Sequence, residues 1–384
     1  MYNLTSHYEN IFHYIKNIVA HRRVLYLHPY GSTQPENIET ISDNLEELNA
    51  TLYRELRPGR INEGPLLIFY DQEPILDEFN QQLFDYISNN RLGPFVLITT
   101  ERDSEPLEKI RKRYGWPIVY YFHHIFAATD WFRGCQFDAR LIEPNKRKLK
   151  KKYITFNRLT SSLRVYRSLF VSKLAQLDIL DQGYISYTDI CPDGGTYIEN
   201  LNLAAKDNLI SQDIATNAIN TLDKVQFPLR IDYKNEPTIP NQSMVLSAVE
   251  QTQESFVYVV TETCFWETKC HLTEKIFKPI VSKMPFILVG CAFNLEYLKS
   301  YGFKTFDRWF DESYDKITDP ILRLDAISNL LKSICSYSNE ELEKMLVEMQ
   351  DVIDHNYNLF YSKSFINSAW NELTTNLAAA VAPK

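Results

Sequence analysis

Glycine is scarce in this chain, with 11 among 384 residues. Neither G-x-G-x-x-G nor G-K-[ST] occurs. A Gly-rich phosphate loop is therefore absent, which speaks against a dinucleotide dehydrogenase and a P-loop nucleotidase. Cysteine is sparse too: Cys135, Cys191, Cys264, Cys270, Cys291 and Cys335 are scattered through the sequence. So few thiols so far apart make no disulfide framework, and reduced cysteines in a cytosol are expected. Cys264, Cys270 and His271 lie close in sequence but match no zinc spacing, so no metal site is expected there. No run of about 18 apolar residues occurs, and MYNLTSHYEN has neither a basic n-region nor an apolar h-region. The expectation is a soluble, cytoplasmic, non-secreted protein without a membrane span. In that setting the Asn-x-[Ser/Thr] triplets at Asn3, Asn49 and Asn241 carry no glycosylation. Positive charge is in deficit as well. The net charge of −8 argues against a broad nucleic-acid or anionic-membrane surface, though not against a local basic groove.

What is present is apolar and aromatic: 24 Tyr, 22 Phe and 45% hydrophobic residues over a length that suits two domains. Apolar β-branched or aromatic runs at 24–30, 66–70, 95–100 and 118–122 read as strands. The stretches between them, 36–56, 74–90 and 104–115, read as helices, and residues 1–20 as an amphipathic helix. Four strands separated by helices predict an open parallel α/β domain. After the basic run Lys146, Arg147, Lys148, Lys150, Lys151 and Lys152 the pattern restarts. The run reads either as a solvated linker or as a contact for a polyanionic acceptor. Strands are expected at 153–157 and 184–188 around a helix at 159–177, with a polar, mixed section over 190–250. Further helices are expected at 295–300, 320–335, 339–355 and 364–379.

The stretch Ser255–Gly290 organises the second half. FVYVV reads as a strand buried on both faces, TETCFWETKCH as a polar loop, LTEKIFKPIVSK as a helix closed by Pro285, and PFILVG as a second buried strand. Ile276, Phe277, Ile280 and Val281 form the apolar stripe of that helix. Thr273 is its expected cap, with Glu274 in the first turn. A strand–loop–helix–strand unit takes a right-handed crossover and binds ligands beyond the strand ends. Thr261, Glu262, Thr273, Glu274 and Lys275 fall there. One cation and two carboxylates suit a phosphorylated, hydroxyl-rich ligand, with Lys275 for phosphate and a carboxylate for ribose.

TEKIFKPIVSKMPFILVG, continuing through CAFNLEYLKSYGFKTFDRWFDESYD, resembles the donor-binding segment of GT-B glycosyltransferases related to the fucosyltransferase group, phage-encoded members included. The resemblance covers the second half of the chain and hardly touches the first. It implies two Rossmann-like α/β domains facing a cleft, with C-terminal helices crossing back. On that reading residues 1–150 form the acceptor-side domain, 151–335 the nucleotide-sugar domain and 336–384 the terminal helices. The implied activity is hexosyl or pentosyl transfer from a nucleotide sugar to an acceptor hydroxyl, inverting and independent of metal or other cofactor. The acceptor stays open between a glycan, a small molecule and a hydroxymethylated base in modified DNA. An inactive nucleotide-binding relative is the remaining alternative. By the same resemblance Asn157 ends a strand leading to an Arg that contacts the donor diphosphate. Arg164 and Arg167 are both candidates, and Arg158 lies beside them. An inverting enzyme also needs a base for the acceptor proton. Asp71, Glu73 and His124 are the candidates, each just past a strand of the first domain, with His123 adjacent to the last. In DRWFDESYD the acidic residues make no D-x-D motif, and the bland expectation is a packed loop around Trp309 and Tyr314.

Overall fold

The structure is a computed structural model. It describes residues 65–70, 75, 84–85, 88–89, 95–122, 125, 128, 132, 140–231 and 246–382, with only the backbone at 24–27, 53–57, 66 and 69. No described helix is long and apolar enough to cross a membrane. The chain is a mixed α/β protein with parallel sheets and many helices, and it divides into two compact units. The first comprises Met1–Asp130, Lys269–His271 and Ser362–Lys384; the second comprises Trp131–Thr268 and Leu272–Tyr361.

The first unit is built on a five-stranded sheet. Its strands are β1 (Val24–Leu27), β2 (Tyr53–Arg57), β3 (Leu66–Tyr70), β4 (Phe95–Thr99) and β5 (Ile118–Tyr120), in the order β2-β1-β3-β4-β5. The pairs β1–β3, β3–β4 and β4–β5 are parallel, as the spacing predicts. β2 departs from the expected helix over 36–56 and pairs antiparallel with β1. An edge strand needs one hydrogen-bonded neighbour only, so the charged sequence YRELR serves there. Helix α1 (Glu105–Tyr114) joins β4 to β5. The Ser104 hydroxyl accepts from the Leu107 N–H at its start, and Gly115 ends it at φ +66°, where a side chain would be strained. Tyr70, Phe84, Phe95, Leu97, Leu107 and Trp116 form its core. The Lys363–Val381 helix also belongs to this unit. It buries Phe365, Ala369, Leu373, Leu377 and Val381, one residue per turn.

The second unit carries a four-stranded, wholly parallel sheet in the order β7-β6-β8-β9. Its strands are β6 (Lys151–Phe156), β7 (Gly183–Ser186), β8 (Ser255–Thr261) and β9 (Phe286–Val289). Every residue of β8 and β9 is buried, which explains their unbroken apolar runs. Helix α2 (Tyr166–Gln176) makes the β6–β7 crossover, after a 3-10 turn at Ser162–Arg164. The polar section between β7 and β8 supplies α3 (Tyr197–Lys206), with a Thr196–Glu199 capping box, then α4 (Gln212–Leu222) and α5 (Val249–Gln253). The expected helix over 272–283 is shorter: a 3-10 turn at Glu274–Ile276 leads into α6 (Phe277–Val281). Lys283, at φ +54°, turns the chain before Pro285 is reached. Then follow α7 (Asn294–Ser300), α8 (Pro320–Cys335), α9 (Asn339–Glu348) and α10 (Gln350–Tyr361).

The basic run mixes one buried cation with exposed ones. Arg147 is buried and donates to the carbonyls of Ile142 (2.9 Å) and Ser282 (3.0 Å). Burial pushes its guanidinium down to about 9. Lys148 pairs with Glu343 and Lys150 with Glu254, while Lys152 donates to the Tyr337 carbonyl and the Asn339 side chain. The partners of these cations all lie in the second unit.

Candidate functional site

The C-terminal ends of β6 and β8 lie side by side in the second unit, and the loops leaving them build the candidate site. Arg167, at the start of α2, ties them together. Its guanidinium donates to the carbonyls of Leu159 (3.0 Å), Thr261 (2.9 Å) and Glu262 (3.0 Å). Tyr166 donates its hydroxyl to the same Glu262 carbonyl and stacks on Phe265. Trp266 reaches across to the Leu163 carbonyl (2.8 Å). From α8 the buried Arg323 donates to the carbonyls of Gly290, Ile317 and Phe265. The loop after β8 is thus held by buried arginines acting on backbone oxygens rather than on carboxylates.

Glu262 anchors the other end of that loop. Its carboxylate accepts from the Thr273 hydroxyl (2.6 Å), the Thr273 N–H (3.2 Å) and the Thr263 N–H (3.2 Å). It is fully buried, and burial raises its acid above the ordinary value of 4.5, with Lys275 and the Thr273 hydroxyl pulling the other way. Thr273 caps the 3-10 turn through the Lys275 N–H (3.4 Å). The Lys275 ammonium lies against Glu274 (3.0 Å), Thr273 Oγ1 (3.2 Å) and Thr263 Oγ1 (3.3 Å).

Against this frame opens a cavity of about 270 Å³. Arg158, Arg164, Arg167, Lys275 and Lys278 bring five cations to its wall, and Glu274 brings a carboxylate. Phe156 and Tyr258, with ring centroids 5.7 Å apart, give it an aromatic side. Ser186 and Ser247 add hydroxyls. Arg158 is exposed and Arg164 half-buried, and neither has an ion-pair partner among the described residues. Such a wall suits a ligand with several negative charges and a planar or apolar portion.

Of the residues singled out from sequence, Arg164, Arg167, Glu274 and Lys275 come together on this wall. Asn157, Glu262 and Thr273 stand behind it. The Asn157 side chain is fully buried beside Thr155, and Glu262 and Thr273 hold each other. Helix α6, which follows the Thr273-capped turn, is five residues long. Asp71, Glu73, His123 and His124 lie outside the described residues. DRWFDESYD is scaffold: Trp309 donates to Glu348, and the buried Tyr314 hydroxyl accepts from the Leu288 N–H. Asp315 caps α7 through the N–H groups of Leu295 and Glu296, its acid lifted to about 6 by burial. Among the described residues no group of His, Cys, Asp and Glu is arranged to hold a metal ion. Sequence reasoning missed Lys278 and the aromatic side. The signal for Lys278 was its spacing of three from Lys275.

No protein-family model and no curated protein matches the sequence. Among solved structures the chain is similar to the crystal structure of a mutant of S. aureus TarM in complex with Fondaparinux, alpha-GlcNAc-glycerol and UDP, at 10% sequence identity and a TM-score of 0.33. The alignment covers 78% of this chain and 51% of that one, so this chain spans about half the length of its neighbour. Likeness at that level gives no ground for assigning an activity, which is left to the residues themselves.

Proposed function

We propose that this chain is a glycosyltransferase that moves a sugar from a nucleoside-diphosphate donor to an acceptor hydroxyl, with inversion and without a metal ion. The observation that carries the reading is the pair Arg158 and Arg164, unpaired among the described residues, facing the same cavity as Lys275 and Lys278. Guanidinium groups gathered in one cavity repel each other, and an anion between them relieves that repulsion. A diphosphate supplies that charge, the Phe156–Tyr258 side a surface for a base, and Glu274 an acceptor for ribose hydroxyls.

As the glycosidic bond breaks, its electron pair moves onto the leaving diphosphate. Cations already in position then gain more in the transition state than in the ground state. The acceptor oxygen forms the new bond to the anomeric carbon and gives its proton to a base. Asp71, Glu73 and His124 are the proposed bases. A glycan or small-molecule hydroxyl suits this chain better than a modified DNA base, because the net charge of −8 opposes a polyanionic acceptor.

Calorimetric titration with UDP, GDP and their sugars tests the reading: at least one of them binds. Lys275→Ala should then lower turnover about a hundredfold, on the order of 3 kcal/mol, with the melting curve held. Absence of binding by every nucleotide overturns the reading. Binding with neither hydrolysis nor transfer points to an inactive relative.

A further inference from the structure

We propose that Trp266 is a positioning residue of this cavity: by donating its indole N–H to the Leu163 carbonyl it fixes Arg164 for the diphosphate. The inference rests on the nucleotide reading above and adds to it a residue that is not part of the cavity wall. Arg158 and Arg164 both ride on the chain between β6 and α2, and that chain does little to hold its own shape. Ser161, at the head of its 3-10 turn, makes no side-chain cap. Ser162 sits at φ +51°, in the left-handed region where a side chain is strained. A conformation of that kind persists only where its surroundings impose it.

Three side chains from outside the turn impose it. Arg167 donates to the Leu159 carbonyl (3.0 Å), the Cys191 sulfur accepts from the Thr160 N–H (3.4 Å), and Trp266 donates to the Leu163 carbonyl (2.8 Å). Of the three, Trp266 acts on the residue directly before Arg164. The tryptophan is buried and well held itself. Its neighbour Phe265 stacks on Tyr166 with ring centroids 4.3 Å apart. The buried Arg323 lies 4.7 Å from the centroid of the same Phe265 ring and donates to the Phe265 carbonyl. The indole N–H therefore comes from a frame that packing has already fixed. Trp266 also belongs to the loop that runs from Glu262 to Thr273 and on to Lys275, so its hydrogen bond ties the chain bearing Arg164 to the chain bearing Lys275. A guanidinium placed before the anion arrives loses less freedom on binding, and that gain is the one assigned to Trp266.

The test is calorimetric titration of the full chain with UDP and GDP, arranged as a double-mutant cycle. Trp266→Phe removes the N–H and keeps a ring, and it should weaken nucleotide binding about fivefold. Arg164→Gln removes the contact itself and should weaken binding by more, about tenfold to a hundredfold. In the Arg164→Gln background Trp266→Phe should cost almost nothing further, because no charge is left to place. A purely structural tryptophan gives the same weakening in both backgrounds, and that result overturns the inference. So does unchanged affinity in Trp266→Phe or in Arg164→Gln. If Trp266→Phe fails to fold, benzothienylalanine at position 266 decides, since sulfur there replaces the N–H and the ring keeps its shape. If neither nucleotide binds the wild type, the nucleotide reading itself falls, so the two failures are distinguishable.

Discussion

Two stretches of this chain end alike and are neutralised differently. FVLITTE (95–101) in the first unit and FVYVVTE (256–262) in the second each run out of a parallel strand into Thr-Glu. Both glutamates are fully buried. Glu101 accepts from the Ile75 N–H (2.9 Å) and lies 3.3 Å from the ammonium of Lys269, itself without exposed surface. Its Oε1 has no partner among the described residues. Glu262 is held instead by two N–H groups and a hydroxyl, all from its own loop. A Glu just past a buried strand is thus drawn inside by its position, whereas its means of compensation comes from wherever the chain returns. For Glu262 that is Thr273, 11 residues on; for Glu101 it is Lys269, 168 residues on. The nearer solution is built of hydrogen bonds and the distant one of an ion pair.

The largest test of that contrast removes the ammonium. Lys269→Met leaves Glu101 as a buried carboxylate without its counter-charge, which typically costs about 3–5 kcal/mol. Denaturant unfolding should show a loss of that size. Replacing both partners, as Lys269→Met with Glu101→Leu, should recover most of it, because the penalty lies in the unpaired charge. A loss below about 1 kcal/mol in the single variant would mean that the pair is dispensable. The matching change in the second unit is Thr273→Val, which keeps the shape and the N–H and removes the hydroxyl facing Glu262. Hydrogen bonds to charged groups are worth about 1.5–3 kcal/mol, so a smaller loss is expected here. If Thr273→Val costs more than Lys269→Met, the ranking of the two solutions is inverted.

The same contrast shows where the sequence is informative. β4, β8 and β9 are legible because strands buried in a parallel sheet must be apolar along their whole length. Helix α8 is legible at its start, since Asp319 caps it and Pro320 opens it. β2 was hidden because an edge strand has no such requirement. The stretch 339–355 reads as one helix, yet it breaks at Met349 into α9 and α10 with neither Gly nor Pro as a signal. In the site, Glu274 and Lys275 are legible as the residues after the Thr273 cap, while Arg164 and Arg167 were offered through the family resemblance. Lys278 was not singled out from sequence. The chain passes from a 3-10 turn at Glu274–Ile276 into the α-helix that carries Lys278, and both lysines line the one cavity. The Lys269–Glu101 pair has no local signal.

The smallest expected effect concerns acid. Burial raises the Glu262 acid above 4.5, so between 4.5 and its folded value the native protein holds more protons than the unfolded chain. Stability then falls as pH rises through that window and recovers as pH falls back toward 4.5. This is the reverse of a carboxylate held down by partners. Other groups titrate over the same range, so the observable is a difference. The unfolding free energies of wild type and Glu262→Gln should move in the wild type's favour between neutrality and about pH 5, by at most about 1.4 kcal/mol for each pH unit crossed. Glutamine carries no proton equilibrium and keeps one carbonyl oxygen for the Thr273 N–H, so the fold should persist and the comparison should remain readable. Denaturant unfolding of both proteins across that range measures it. A gap that stays constant would show that Glu262 keeps an ordinary acidity, and hence that its cage of two N–H groups and a hydroxyl compensates burial as fully as an ammonium would.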